Sequence, residues 1–395
     1  MDIPALQRAL GQQGLDGWLL YDFHGQNPTA IGALGLGGHM LTRRWAYLVP
    51  ARGEPRLLVH AIERGSFPDH VPGRRESYAS WQSFRAGLES MISALPGRRI
   101  AMEYFPMAGI PYLSRVDAGT LELVRSLGAE VVSSAELVQE FLCRFDDWQI
   151  ESHARACRFI DEAKDEAFAR VADLHRRGLE PAEHEIQDFL MARFAAGGLL
   201  TDHPPIVAVN GHAGDPHYVP SKERPTPIRR GDLLLIDLWA KESRADDPYA
   251  DITWMAFCGD RPPAKVEEIF RVTAEGRDAG FALVTRAWRE EERLEGWQVD
   301  RVVRDHIAAK GYGDRFVHRT GHSIGFASPH GDGANMDDLE THDTRALVER
   351  TAFSIEPGIY LPDEGMGVRL EIDVVLTPGG PRIFSKLQEE LVRLA

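Results

Sequence analysis

The sequence predicts a mixed helix-and-sheet protein in two domains, an α/β layer followed by a unit of long helices and short strands. Three observations predict it. At 395 residues the chain exceeds what one hydrophobic core ordinarily serves. Up to about residue 140, apolar runs of strand length alternate with helical stretches, as in an α/β layer. Beyond that point two long helical stretches precede short apolar runs punctuated by Gly and Pro, with one more helix pair among them. With 43% hydrophobic and 27% charged residues, the composition supports packed cores rather than disorder.

In the first part, Leu6 to Gly14 has apolar residues at helical spacing and a glycine stop. Strands are expected in DGWLLYDF, from Leu57 to Ala61 and in RRIAMEY (Arg98 to Tyr104), with turns at Pro50 to Pro55 and Pro68 to Gly73. A helix runs from near Asp146 past Arg177, with Ile150, Ala154, Cys157, Ile160 and Ala167 on one stripe and Gly178 at its end. A second starts at Pro181, in the first-turn position proline favours, and closes at Gly197-Gly198. Strands then follow in PPIVAVN, DLLLIDLW, DITWMAFCG, FVHRT, AFSIEPGIY and GVRLEIDVVLT, interrupted by helices over about 265–287 and 296–310. The domains are therefore drawn as 1–145 and 146–395.

Charge narrows the function. Forty-five Lys and Arg against 60 Asp and Glu leave a net charge of −15, which repels phosphate backbones and anionic lipid; neither nucleic acid nor membrane is an expected partner. The three cysteines form no CxxC pair, which excludes a cysteine zinc cluster and fits a reducing compartment. The first residues, MDIPALQRAL, read as no signal peptide, so a cytoplasmic protein is expected.

The chemistry begins with acids in greasy places. Asp237 lies in LLLIDLW, a run apolar at both parities, so both faces of that strand are expected to be buried. An ionised carboxylate there costs several kcal/mol unless compensated, and a buried ion pair would explain one such residue. The pattern repeats, however. Asp251 opens DITWMAF, Glu356 ends AFSIE, and Glu371 shares a strand face with Arg369 and Asp373, opposite Val368, Leu370, Ile372 and Val374. His322, in TGHSIG, adds an imidazole. Four carboxylates and one histidine are the ligand set of two hard or borderline divalent cations, which points to a dinuclear metal hydrolase.

The order Asp, Asp, His, Glu, Glu in DLW, DIT, GHxxG, IEPGIY and VRLE resembles the pita-bread metallopeptidases: prolidase, aminopeptidase P, methionine aminopeptidase and the metal-free creatinase. The likeness covers about residues 150 to 380, and the segment before it is similar, more loosely, to the creatinase/prolidase N-terminal domain. It implies an α+β pita-bread domain and a homodimer. Asp237 would hold one metal, Asp251 and Glu371 would bridge both, and His322 and Glu356 would complete the second. Glu356, or a neighbouring carboxylate, would also take the proton. His217 in GDPHY and His330 in SPHGDG match the outer histidines that meet the substrate, and Arg369 matches an arginine on the substrate side. Manganese is the expected metal, with cobalt or zinc as alternatives. The implied substrate is a small peptide with proline second. Xaa-Pro dipeptidase is the first choice and aminopeptidase P the alternative; a creatinase-like hydrolase and a non-catalytic binding module are more distant ones. Arg345 is proposed, by position, to bind a substrate carboxylate.

Departures from that pattern are visible. KESRADDPYA lengthens the gap between Asp237 and Asp251 and makes Asp246 and Asp247 rival ligands; Asp251 keeps the matching context. Trp254 stands where relatives often have arginine, which is expected to alter the charge around the site. The His322–His330 loop is slightly long. GHSIG formally matches the GxSxG nucleophile elbow, but FASPHGDGAN after it cannot continue as the helix that motif needs. HEIQD lacks the second histidine of HExxH, and GALGLGG lacks phosphate-loop spacing. His203 and His212 read as ordinary surface or structural histidines.

Overall fold

The computed structural model describes residues 1–216 and 218–395 and divides into two compact units, Met1–Leu142 and Cys143–Ala395. The division falls three residues before the boundary drawn from sequence.

The first unit is a six-stranded sheet. Its strands β1 (Gly17–Asp22), β2 (Trp45–Pro50), β3 (Arg56–His60), β4 (Arg74–Tyr78), β5 (Arg99–Met102) and β6 (Glu130–Ser133) lie in the order β4-β3-β2-β1-β5-β6. Helices α1 (Ile3–Gln12), α2 (Pro28–Ala33), α3 (Trp81–Ser93), α4 (Ala118–Ser126) and α5 (Ala135–Val138) accompany them. Parallel pairs at β1–β5, β3–β4 and β5–β6 give the α/β character, while β1–β2 and β2–β3 are antiparallel. At its centre Glu103 is fully buried and accepts hydrogen bonds from Trp18 Nε1 (2.6 Å), Asn27 Nδ2 (2.8 Å) and Ser134 Oγ (3.2 Å). Burial pushes its carboxyl up to about 7 against those three donors.

The second unit opens on α6 (Asp147–Arg176). Asp146 caps it: Gln149 N donates to Asp146 Oδ1 and Asp146 N to Gln149 Oε1, both at 2.8 Å. At the far end Gly178 takes φ +73°, and Leu179 N closes on Leu174 O at 2.9 Å. Helix α7 (Glu183–Gly197) follows. Pro181 stands outside its first turn, because Ala182 is the cap residue, and Glu185 Oε2 accepts the Ala182 N–H at 2.7 Å. HEIQD is thus the capped start of a helix.

Strands β7 (Ile206–Val209), β8 (Leu233–Ala240) and β9 (Ala250–Phe257) then pair antiparallel, with Asp237 opposite Thr253 and Trp239 opposite Asp251. Even-numbered residues of β8 and β9 (Leu234, Ile236, Leu238, Ile252, Trp254) pack with the α6 stripe of Cys157, Ile160, Ala167 and Val171. Leu233, Leu235 and Met255 bury the odd-numbered face with residues of α8 (Ala264–Arg289) and α9 (Gly296–Ala309). Both faces are covered, hence the unbroken apolar runs. The acids Asp237 and Asp251 lie on the odd face.

The chain closes with β10 (Ala352–Ile355), β11 (Gly358–Leu361), β12 (Met366–Arg369), β13 (Ile372–Thr377), β14 (Gly380–Arg382) and β15 (Val392–Arg393). They form sheets ordered β10-β13-β14 and β11-β12, with β15 parallel to β9 beyond β8 and β7. Two expectations need correction. FVHRT forms no strand; its backbone enters the site as irregular chain, with Arg304 Nη1 on Phe316 O and Nη2 on His318 O, each at 2.9 Å. GVRLEIDVVLT is also not one strand, because it changes sheets at Leu370–Glu371. Alternation nonetheless survives the break: Val368 and Leu370 enter one core, Ile372 and Val374 another.

Candidate metal centre

The site is assembled from strand ends and two loops. Glu371 sits at the change of sheets, where its N–H donates to Thr253 O (3.2 Å) and its Oε2 accepts Thr253 Oγ1–H (2.8 Å). Asp251 lies diagonally across from Asp237 on the same face of the β8–β9 ladder. His322 arrives on the loop before β10. Ser354 N donates to His322 O (2.8 Å), His322 N to Ser354 Oγ (2.9 Å), and Ser354 Oγ to Glu356 Oε1 (3.2 Å). The glycines of GHSIG explain how so close an approach is possible. A Cβ on Gly321 would lie 2.0 Å from Ser354 O, and one on Gly325 would lie 2.5 Å from Ser328 O. Ser323 is buried, its Oγ accepts the Gly333 N–H at 3.1 Å, and no helix follows, so it is no nucleophile elbow.

Ligand atoms of Asp251, His322 and Glu371 all lie within 4.8 Å of one another. His322 Nε2 is 3.4 Å from Glu356 Oε1 and 3.7 Å from Asp251 Oδ2. Its other nitrogen lies 3.1 Å from Ser323 O, and a carbonyl only accepts, so Nδ1 carries the hydrogen and Nε2 turns a lone pair toward two carboxylates. A lone pair facing ionised carboxylate oxygens is repulsive, and a proton or a cation among them relieves it. Asp251 Oδ1 and Glu371 Oε1 are buried and receive no hydrogen bond from any described residue. Burial, with the charges of Asp237, Asp373 and Glu356, pushes the Asp251 carboxyl well up. Burial together with Asp251, Glu356 and Asp237 does the same to Glu371. Burial, aided by His330, pulls His322 well down. The donor set of Asp251, His322 and Glu371 therefore fits a divalent cation: repelling acids, a neutral imidazole and two orphaned carboxylate oxygens stand close together.

Arg369 is the guanidinium within this cluster. Nη2 donates to Asp237 Oδ2 (2.5 Å), Nη1 to Tyr360 OH (3.2 Å) and Nε to Thr253 Oγ1 (3.3 Å). Burial opposes its charge, but Tyr360, Asp237 and Glu356 outweigh that and hold it well up. Tyr360 OH in turn donates to His318 Nε2 (2.7 Å), because His318 Nδ1–H is spent on Arg319 O (2.7 Å). Thr253, Tyr360 and His318 were not singled out from sequence. Thr253 is signalled only by lying two residues after Asp251, and His318 only by lying four before His322.

His330 stands against His322 with ring centroids 4.1 Å apart. His217 lies outside the described residues. Arg345 is not a substrate-facing residue: it is 1% exposed, donates Nε and Nη2 to Asp343 (3.0 and 2.6 Å) and gives Nη1 to Asp332 O. Trp254 does not touch the charge balance of the site, since it faces the α6 side, with Lys164 Nζ 3.2 Å from its ring centroid. Asp247 is buried against α6, accepting from Trp148 Nε1 (3.2 Å) and Ser152 Oγ (2.9 Å), and is no rival ligand. The lengthened hairpin and the lengthened His322–His330 loop meet each other: Lys241 Nζ donates to Phe326 O (2.6 Å) and Tyr249 N to Gly325 O (3.0 Å).

Among the described residues, no helix is long and apolar enough to cross a membrane. Residues 151–378 match metallopeptidase family M24. The chain is 31% identical to the uncharacterized peptidase YqhT of Bacillus subtilis over 67% of its own length and 69% of that protein. It is 30% identical to the Xaa-Pro dipeptidase of Pyrococcus furiosus over 62% of its own length, spanning 63% of that relative. The crystal structure of dipeptidase PepE from Mycobacterium ulcerans superposes with a TM-score of 0.72 at 23% identity, covering 99% of this chain and 96% of that one. With the ligand order, the converging acids and this match over more than half its length, the chain belongs to metallopeptidase family M24, with the pita-bread fold of the prolidases.

Proposed function

We propose that the protein is an Xaa-Pro dipeptidase, cleaving the bond before proline with two divalent cations. One would be held by Asp237, both by Asp251 and Glu371, and the second by His322 and Glu356. The observation that carries this is the His322 Nε2 lone pair aimed at Glu356 and Asp251 among orphaned carboxylate oxygens. When bound, the cations lower the pKa of a shared water and polarise the scissile carbonyl. Burial pushes Glu356 up to about 7 in the metal-free site; beside the bound cations its carboxylate would take a proton from attacking water and return it to the leaving proline nitrogen. His330, beside His322, and His217 would donate hydrogen bonds to the substrate carbonyl as it gains charge. Arg369 fixes Asp237 through its short ion pair. The oxygen-rich donor set favours manganese over softer-site metals. Three buried free cysteines fit a reducing cytoplasm. A homodimer, and the creatinase/prolidase assignment of the first unit, rest on the resemblance.

Hydrolysis of Ala-Pro and Ala-Pro-Ala by the manganese-loaded protein tests the specificity. Rapid cleavage of Ala-Pro is expected. Release of alanine from the tripeptide with the dipeptide left intact would overturn the dipeptidase choice in favour of aminopeptidase P.

A further inference from the structure

Beyond its pairing with β8, strand β9 has a second edge that is mostly not met by a strand: β15 joins it only opposite Ala256 and Phe257. Unpaired backbone groups in a buried strand are expensive, so each must find a partner elsewhere. Along residues 249 to 255 five of them do so. His153 Nδ1–H donates to Tyr249 O (2.8 Å), Asp251 N–H to Asp373 Oδ2 (2.7 Å) and Glu371 N–H to Thr253 O (3.2 Å). Gln388 takes Met255 N–H at Oε1 (2.9 Å) and donates Nε2 to Met255 O (2.7 Å). Three side chains and one backbone N–H thus stand in for a missing strand.

We infer that Asp373 and His153 are positioning residues that clamp the Tyr249–Asp251 segment from α6 and β13 and so fix where the Asp251 carboxylate stands. Both are 0% exposed, and His153 Nε2 lies 3.8 Å from Asp373 Oδ2, so the two holds act on adjacent ends of three residues. His153 is itself oriented at Nε2 by Cys157 Sγ, at 3.4 Å. The ligand atoms of His153, Cys157 and Asp373 lie within 4.8 Å of one another and are also of metal-binding types. The clamp is favoured because Asp373 Oδ2 and His153 Nδ1 already hold Asp251 N–H and Tyr249 O, and because it explains why a buried acid lies directly behind Asp251.

This inference rests on the dinuclear reading above, and its test is metal affinity rather than turnover. Metal-stripped parent and variants are titrated with Mn²⁺ against a chromophoric chelator, with urea unfolding of each recorded alongside. Asp373→Asn keeps an acceptor oxygen beside Asp251 N–H and is expected to bind within about threefold of the parent; Asp373→Ala is expected to bind about 10–100-fold more weakly, the loss typical when an outer partner of a ligand is removed. Should Asp373→Ala not fold, His153→Asn, which places an amide N–H near the old Nδ1, against His153→Ala gives the same comparison. Parent-like affinity in an alanine variant that is merely less stable would overturn the clamp. So would a third equivalent of Zn²⁺ in the parent that Cys157→Ser abolishes, since the trio would then be a metal site. A parent that binds no metal removes the dinuclear reading instead.

Discussion

Replacing Glu371 with glutamine is expected to lower turnover of Ala-Pro by about a thousandfold or more while leaving the protein folded. The substitution keeps shape and removes charge at the position where β12 gives way to β13. Bound divalent cations supply several kcal/mol of transition-state stabilisation, and about 4 kcal/mol corresponds to roughly a thousandfold in rate. A companion effect separates this from simple damage. Burial and the neighbouring acids push the Glu371 carboxyl well up, so the folded, metal-free protein bears a repulsion there that the unfolded chain does not. The metal-free variant is therefore expected to unfold at higher urea than the metal-free parent, though it binds less metal. Kinetics, metal stoichiometry and urea midpoints check the three parts. A variant that keeps parental turnover would remove Glu371 from the chemistry.

The second large effect is on stability. Arg369 is 4% exposed and ties Asp237, Tyr360 and Thr253 together. Arg369→Met leaves Asp237 without its guanidinium beside Asp251 and Glu356. Breaking a buried ion pair on one side typically costs about 3–5 kcal/mol, and that loss is expected in the unfolding transition of the Cys143–Ala395 unit under chelator. With Mn²⁺ present the loss should fall to less than half, because the cations then balance the same carboxylates. Urea unfolding of parent and variant, with chelator and with metal, reads both numbers. Equal losses in the two conditions would mean that Arg369 and the metals do not share these acids.

Much of this site was legible because its residues violate their surroundings. Asp237, Asp251 and Glu371 interrupt apolar runs, and a period-two reading put Arg369, Glu371 and Asp373 on one face even though the chain changes sheets between Arg369 and Ile372. Alternation outlasts the bend, since Val368 and Leu370 enter one core and Ile372 and Val374 the next. What was not legible depends on contacts between segments distant in sequence. Arg345 looks available until Asp343 and Asp332 O are seen to enclose it. Trp254 reads as a change at the site until its parity places it on the α6 side. The relay from Arg369 through Tyr360 to His318 joins three segments and has no local signature. In the first unit β4 carries no strand signal because RRESY is a polar edge strand, and β2 a weak one because its apolar run ends in proline.

The central claim is that buried acids in this sheet are held together by a pair of cations. Metal analysis of the stripped and reloaded protein, with Ala-Pro hydrolysis followed at each step, tests it most directly. Two equivalents of divalent metal per chain at saturation, no hydrolysis after chelation, and recovery on adding Mn²⁺ are expected. Undiminished hydrolysis by a chain carrying no divalent metal would contradict it.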